Sequence, residues 1–389
     1  MSATATSRGY PSGKRVAASM SVVYAAENAM SENGTQERGA PAALRGCWYP
    51  AMRSAELRGR GPATAELLDE ALVVGRDAQG RAFALRDFCP HRGMPLSAGH
   101  FDGETVECCY HGWRFDCRTG QCREIPSVVP GESKLKVERI FAGAFPADEA
   151  DGYVWVYFAD PERPENATPP APRLWRGAGR CRTVHLWCDL ACDVDQGIIG
   201  LMDPAHGPFV HQSWWWRKRS SIQVKEKVFE PIPNGFRIRP HAPSANSAPY
   251  KLLKVYGQPV TTIEFVLPNM RFERIEAGKY WFSSRATVTP VTAERSRIDF
   301  VAAWNIFAWV PLVPWIFRKF ATTFLRQDQE TMEKQAVGLA RSRRQMLIDD
   351  ADRPARWYFQ LKEAYLEAQR TGQPMKHPIA EGVTLRWRS

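Results

Sequence analysis

Four residues in the first third of the chain have the types and spacing of a metal pocket. Cys89 and His91 lie in Cys89-Pro-His-Arg-Gly93, and Cys108 and His111 lie in Cys108-Cys-Tyr-His-Gly-Trp113. The pattern is C-x-H, then sixteen residues, then C-x-x-H-G-W. Two thiolates and two imidazoles suit a 2Fe–2S cluster in which one iron is held by sulfur and the other by nitrogen. Each loop supplies one donor of each kind, so two loops would grip the group from both sides. A tetrahedral zinc site is the chemical alternative. A zinc finger, however, sets its histidines three to five residues apart on a helix, and His91 and His111 are not so placed. Cys109 neighbours Cys108, and spacing alone points to Cys108 as the ligand without deciding between them.

A second constellation follows about ninety residues later, in Asp203-Pro-Ala-His206-Gly-Pro-Phe-Val-His211, which reads D-x2-H-x4-H. Two histidines and one carboxylate make the facial triad of non-haem Fe(II) sites, which leaves positions open for dioxygen. A histidine pair at this spacing, taken alone, is more often core or surface. The carboxylate must come from elsewhere. In the helix-forming run around Gln327-Asp328-Gln-Glu330-Thr-Met-Glu333, Asp328 shares a face with Leu325 and Met332 at i, i+3 and i+7. A carboxylate on a buried face is costly unless paired or metal-bound. Glu330 and Glu333 fall on other faces and read as solvated.

The elements that must position these residues are mostly strands. Glu70–Arg76 and Arg81–Asp87 flank Asp77-Ala-Gln-Gly80 as a hairpin. Val106–Phe115 and Gly152–Phe158 read as further strands, with the two Cys/His loops between. The run Asp160 to Pro172 is rich in proline and reads as an extended linker that cannot pack. Beyond it come the strand Thr183–Leu190, a helical segment Asp195–Asp203, and β-rich runs at Ser221–Arg239, Thr261–Val266, Lys279–Val288 and Arg297–Phe307. Helical blocks at Phe320–Arg344 and Ala355–Thr371 close the chain. Phe300 to Phe317 carries no charge and is just long enough to span a bilayer. Pro311 and Pro314 inside it argue against a spanning helix. Contact with a membrane surface, a lid over a pocket and an ordinary buried strand remain.

Composition narrows the class. The chain has 389 residues, 44% of them apolar, which supports real cores and excludes global disorder. Its formal charge is +10, but no nucleic-acid-binding motif accompanies it. A basic surface also suits an acidic redox partner. Nine cysteines without an apolar signal segment fit thiolate metal binding in a reducing, cytoplasmic setting better than a disulfide framework. Residues 1–44 are small and polar and read as a flexible tail. Residues 1–26 lack acidic residues, which resembles an organellar transit peptide in composition.

On these residues the chain resembles the Rieske non-haem iron oxygenases over residues 47 to about 370. The run "LMDPAHGPFVH" and the late D-x4-E-x-Q are most similar to the pheophorbide and chlorophyllide oxygenase group and its bacterial relatives. Met94 and Tyr110 occupy the positions where cytochrome bc-type Rieske proteins carry a disulfide, so the likeness is to the oxygenase and ferredoxin class. The resemblance implies an α+β fold: a tail at 1–44, a Rieske β-domain at 45–160, and a helix-grip catalytic domain, antiparallel sheet plus helices, at 173–389. It implies a 2Fe–2S cluster on Cys89, His91, Cys108 and His111, and a mononuclear Fe(II) on His206, His211 and Asp328. It makes Asp203 a catalytic bridge between His206 and the cluster ligand His111 of a neighbouring subunit in a homotrimer. The pattern often has an acid four residues before that Asp and an Asn three before; here these are Ile199 and Gly200.

The resemblance further implies a terminal oxygenase that uses dioxygen and electrons from a reductase or ferredoxin, since no G-x-G-x-x-G dinucleotide fingerprint is present. The run Ser213–Arg219 (SWWWRKR) and the aromatic stretch Trp304–Phe317 suggest a small but bulky apolar substrate: a sterol or other terpenoid, a tetrapyrrole or a polycyclic aromatic, hydroxylated or oxidatively demethylated. Trp214, Trp215 and Trp216 read equally well as packing. The competing reading is a Rieske electron carrier with no oxygenation chemistry of its own.

Overall fold

The computed structural model describes residues 35–36, 43–57, 61–129, 131–163, 166–211, 222–243, 254–342 and 345–389. Ser213–Arg219, residues 1–26 and almost all of the expected tail lie outside the described residues.

The amino-terminal part is a stack of three small antiparallel sheets. β1 (Cys47–Arg53) pairs with the hairpin β8 (Ala147–Ala150) and β9 (Tyr153–Phe158). β2 (Ala63–Leu67), β3 (Glu70–Arg76) and β4 (Ala82–Arg86) form the second sheet, with the expected β3–β4 hairpin closed by Asp77. The Asp77 carboxylate accepts the backbone N–H groups of Gln79 and Arg81, an Asx turn. The third sheet holds β5 (Thr105–Glu107), β6 (Arg114–Asp116) and β7 (Cys122–Glu124). The single strand expected over Val106–Phe115 is therefore two strands. Cys108 to Trp113 leave the ladder as a loop, because Gly112 adopts a left-handed backbone (φ 69°) that an extended strand does not allow.

The larger part is one eight-stranded antiparallel sheet. Its strands are β10 (Arg182–Leu190), β11 (Val224–Ile232), β12 (Gly235–His241), β13 (Val260–Val266), β14 (Met270–Ala277), β15 (Tyr280–Pro290), β16 (Ser296–Trp304) and β17 (Val383–Arg388), in the order β10-β16-β15-β14-β13-β12-β11-β17. Between β10 and β11 come α1 (Val194–Met202) and the single turn α2 (Gly207–Val210); α3 (Val313–Leu339) and α4 (Arg353–Thr371) follow the main strands. Three expectations change. The run expected over Ser221–Arg239 is, from Val224 on, a hairpin turning at Pro233-Asn234. β14 had no reading as a strand. The chain also ends in a strand rather than a helix: alternate residues Leu385 and Trp387 are buried, and β17 pairs β11 at the sheet edge. The uncharged run Phe300–Phe317 is shared between β16, a turn and the first turn of α3, where Pro314 is tolerated. Among the described residues no helix is long and apolar enough to cross a membrane.

The proline-rich run also differs from expectation. It packs, because proline lacks an N–H but keeps its carbonyl. The Trp48 indole N–H donates to Pro169 O at 2.8 Å, and Arg285 donates to Pro172 O at 3.2 Å. Arg285 is almost fully buried on β15. It pairs with Asp151 of the β8–β9 turn at 3.1 Å and lies 4.5 Å over the Trp155 ring. One guanidinium thus ties the first part, the linker and the large sheet together. One hydrophobic cluster runs from Tyr49 and Val156 through Leu186 and Val288 to Trp357 and Leu361, so the two parts share a core.

A second buried ion pair fixes the helices. Lys362 of α4 reaches both carboxylate oxygens of Asp195 on α1, at 2.7 and 2.9 Å, and Tyr358 donates to the same carboxylate at 2.5 Å. Breaking a buried pair leaves an uncompensated charge. Lys362→Met is therefore expected to cost roughly 3–5 kcal/mol in denaturant unfolding; a loss below about 1 kcal/mol would show that the pair is dispensable.

Candidate metal centres

The two Cys/His loops are built alike. In the first, the Cys89 N–H donates to Met94 O and the Gly93 N–H to Cys89 O, both at 2.8 Å. In the second, the Cys108 N–H donates to Trp113 O at 2.8 Å and the Gly112 N–H to Cys108 O at 2.9 Å. Each loop turns on a left-handed glycine four residues after its cysteine, Gly93 (φ 74°) and Gly112 (φ 69°). The loops bring the four side chains together. The His91 and His111 rings are 4.5 Å apart between centroids, and the Cys89 and Cys108 thiols are near enough to act on one another electrostatically. Trp113 stacks on His91 at 4.6 Å, with the planes 4° apart.

Burial separates the adjacent cysteines. Cys108 is buried and Cys109 is exposed. Burial pushes the Cys89 thiol up to about 11; the backbone N–H groups of His91 and Arg92 oppose this, and the Cys108 thiol adds to it. A pocket of two buried thiols with N–H groups aimed at sulfur fits a cationic iron–sulfur group, which stabilises thiolates where burial alone does not. Cys108→Ala is expected to abolish the Rieske EPR signal and Cys109→Ala to preserve it. The reverse result would reassign the ligand.

The second constellation is carried by three helices. α1 ends at Asp203, His206 caps the start of α2, and His211 follows it. His206 Nε2 lies 3.1 Å from His211 Nε2. Asp328 Oδ1 on α3 lies 3.2 Å from His211 Nε2 and 3.8 Å from His206 Nε2. These three residues, one ligand atom each, are the metal-capable group of the large part among the described residues. Three converging donors in this arrangement fit a two-histidine, one-carboxylate iron site. Glu330 and Glu333 do not join them.

The neighbours that orient the three are equally specific. Asp203 Oδ2 is 3.5 Å from His206 Nδ1, and its Oδ1 accepts the Ala205 N–H at 2.7 Å. Burial alone would lower the pKa of His206. The Asp203 hydrogen bond and the charges of Asp203 and Asp328 outweigh it and raise the value. Gln327 Oε1 lies 3.1 Å from His211 Nδ1, and the Phe324 ring stacks on His211 at 3.4 Å. Sequence reasoning missed both residues. Their signal was present: Phe324, Gln327 and Asp328 fall at i, i+3 and i+4, one helix face. A Cβ at Gly200 would lie 3.3 Å from Met332 Cε, the far end of a flexible side chain, so α1 comes close to α3 at that glycine.

Fold and sites together define a chain with two different candidate metal pockets, one in each part. Residues 47–140 match the Rieske [2Fe–2S] domain family. The chain is 28% identical over 302 residues to chlorophyllide a oxygenase of Chlamydomonas reinhardtii, covering 73% of this chain and 42% of that protein. It is 32% identical over 170 residues to the iron–sulfur subunit of a toluene-4-sulfonate monooxygenase system from Comamonas testosteroni, covering 43% of this chain and 46% of that one. Its fold superposes on dicamba monooxygenase bound to dicamba with a TM-score of 0.65 at 20% identity, covering 85% of this chain and 99% of that structure. The amino-terminal part is thus a Rieske domain, and the chain has the α+β architecture of the Rieske oxygenases. It spans less than half the length of these two curated relatives.

Proposed function

We propose that this chain is the terminal oxygenase component of a Rieske-type system. Cys89, His91, Cys108 and His111 hold a 2Fe–2S cluster, and His206, His211 and Asp328 hold a mononuclear Fe(II). The observation that carries the reading is the convergence of His206, His211 and Asp328, because an electron carrier has no use for a second open-sided donor set. The bound groups would supply one-electron storage and dioxygen activation. The chain's own residues do the rest. Asp203 orients His206 and fixes which ring nitrogen carries the proton, as carboxylates beside metal-binding imidazoles do. Gln327 orients His211 in the same way, and Phe324 keeps water from that ring. Asp203 is also one-third exposed, which suits a hydrogen bond to His111 of a neighbouring subunit in a homotrimer. A reductase or ferredoxin supplies the electrons.

The relatives are named for a tetrapyrrole and an arylsulfonate, and we carry over a bulky, ring-containing substrate that is hydroxylated or demethylated. The test compares metabolites of cells with and without the intact gene under 18O2. A product labelled with 18O only in the presence of the gene is expected; absence of any labelled difference would return the chain to the electron-carrier reading.

The exposed side chains Trp309, Leu312 and Trp315, beside Lys319, favour contact with a membrane surface as the route for such a substrate. Co-sedimentation with anionic vesicles is expected to weaken in the Trp309→Ser/Trp315→Ser variant. Unchanged sedimentation removes this reading.

A further inference from the structure

The two faces of the large sheet differ in what they tolerate. On β14, Met270 and Phe272 join the aromatic core around Trp48 and Trp155. Alternation therefore turns Arg271 and Glu273 to the opposite, helix-covered face. Their cross-strand neighbours agree: Arg271 lies opposite Phe265 and Ala286, and Glu273 opposite Ile263 and Ser284. Phe265 meets Tyr358 of α4 at 5.8 Å, and Val288, next after Ala286 on that face, packs on Gly197 of α1. Arg271 and Glu273 thus sit on the face covered by α4 and by α1, the helix that leads into Asp203 and His206.

This ion pair lies on the face that forms the shared core, yet its side chains keep 26% and 18% of their surface exposed. Accessible space therefore lies over them. A charged pair in a dry interior costs more than its mutual attraction returns, so that space is wet or takes a polar group. Arg271 Nη1 donates to Glu273 Oε2 at 3.2 Å, and among the described residues its guanidinium has no other recorded acceptor. Several of its five N–H donors are left for a ligand. The other ionisable side chains that alternation places on this face of β11–β14 are Lys225, Lys227 and His241. Glu273 is the one carboxylate among them, so the face is net basic. Lys227 is half-buried, with its ammonium 3.5 Å from Ala242 O.

We propose that Arg271 anchors a carboxylate carried by the substrate, which makes the inner face of β14 a specificity-determining subsite. A planar guanidinium matches a carboxylate in two parallel hydrogen bonds, and Glu273 holds it in place. The assignment rests on the oxygenase reading for calling the ligand a substrate; the binding step itself requires no turnover.

The test uses the full-length, iron-loaded protein and two fluorescent probes, 1-pyrenecarboxylate and its methyl ester, titrated at pH 7.5. The acid is expected to bind about tenfold or more tightly than the ester, the scale of a charge-assisted hydrogen bond. Arg271→Gln is expected to bring the acid down to the ester's affinity, and Glu273→Gln to tighten the acid by removing a competing carboxylate. Arg271→Gln/Glu273→Gln removes both members of the pair and keeps the measurement available if the single variant misfolds; it too should bind acid and ester alike. Equal affinity in the wild type, no binding of either probe, or an acid preference that survives in the folded variants would overturn the proposal. Failure of the oxygenase reading shows instead in iron content and 18O incorporation, which this ratio does not touch.

Discussion

Replacing His211 with alanine is expected to lower the iron content from about three atoms per chain to about two and to abolish product formation, while the Rieske EPR signal stays intact. His211 is almost wholly buried, and its Nε2 lies 3.1 and 3.2 Å from the other two donors. Removing it leaves His206 and Asp328, a two-donor set that does not hold a facial site. The cluster pocket is built from separate loops in the Rieske domain and should be untouched. His206→Ala should give the same pattern. The variants are compared by iron analysis beside EPR and thermal unfolding. Two iron atoms in the wild type, unchanged in both variants, would refute a mononuclear site and with it the oxygenase reading.

Asp203→Asn is expected to keep all the iron and the cluster signal, yet to slow product formation by about 10- to 100-fold, the usual cost of losing a carboxylate behind a metal-binding imidazole. The substitution is isosteric and the side chain is one-third exposed, so folding should not change. What changes is polarity: the carboxylate accepts from His206 Nδ1, whereas the amide presents N–H groups of its own. The charge of Asp203 also helps to raise the His206 pKa against burial, and that contribution disappears. Rapid-mixing measurement of cluster oxidation with substrate and dioxygen separates the roles. A slowed cluster oxidation supports the bridge between subunits. Wild-type rates of both oxidation and product formation would exclude any part for Asp203.

Much of both sites was legible in the chain because their information is local. The Cys89–Gly93 and Cys108–Gly112 loops each carry candidate ligands, turn and left-handed glycine within five residues, so spacing alone reads them. The D-x2-H-x4-H segment works the same way, since one helix end and one short helix set all three side chains. Asp328 was reachable by helix periodicity. Where sequence reading went astray, the cause was non-local. β14 received no reading as a strand, because its second face meets the helices only after eight strands align. β17 joins the sheet by pairing with β11, more than a hundred residues away. The proline-rich run packs because Trp48 and Arg285 reach its carbonyls from distant parts of the chain.

By itself, then, the sequence determined which residue types stand ready for metal chemistry, Cys89, His91, Cys108 and His111 in one part and Asp203, His206 and His211 in the other, together with the strand and helix periods that carry them. Tertiary structure decided the rest. It buried Cys108 and exposed Cys109, brought Asp328 of α3 within 3.2 Å of His211 across more than a hundred residues, set Gln327 and Phe324 behind that imidazole, and merged the two parts into one core. The physical reason is that local spacing fixes only what one turn or one strand can hold. Burial and the meeting of distant donors depend on how whole faces pack.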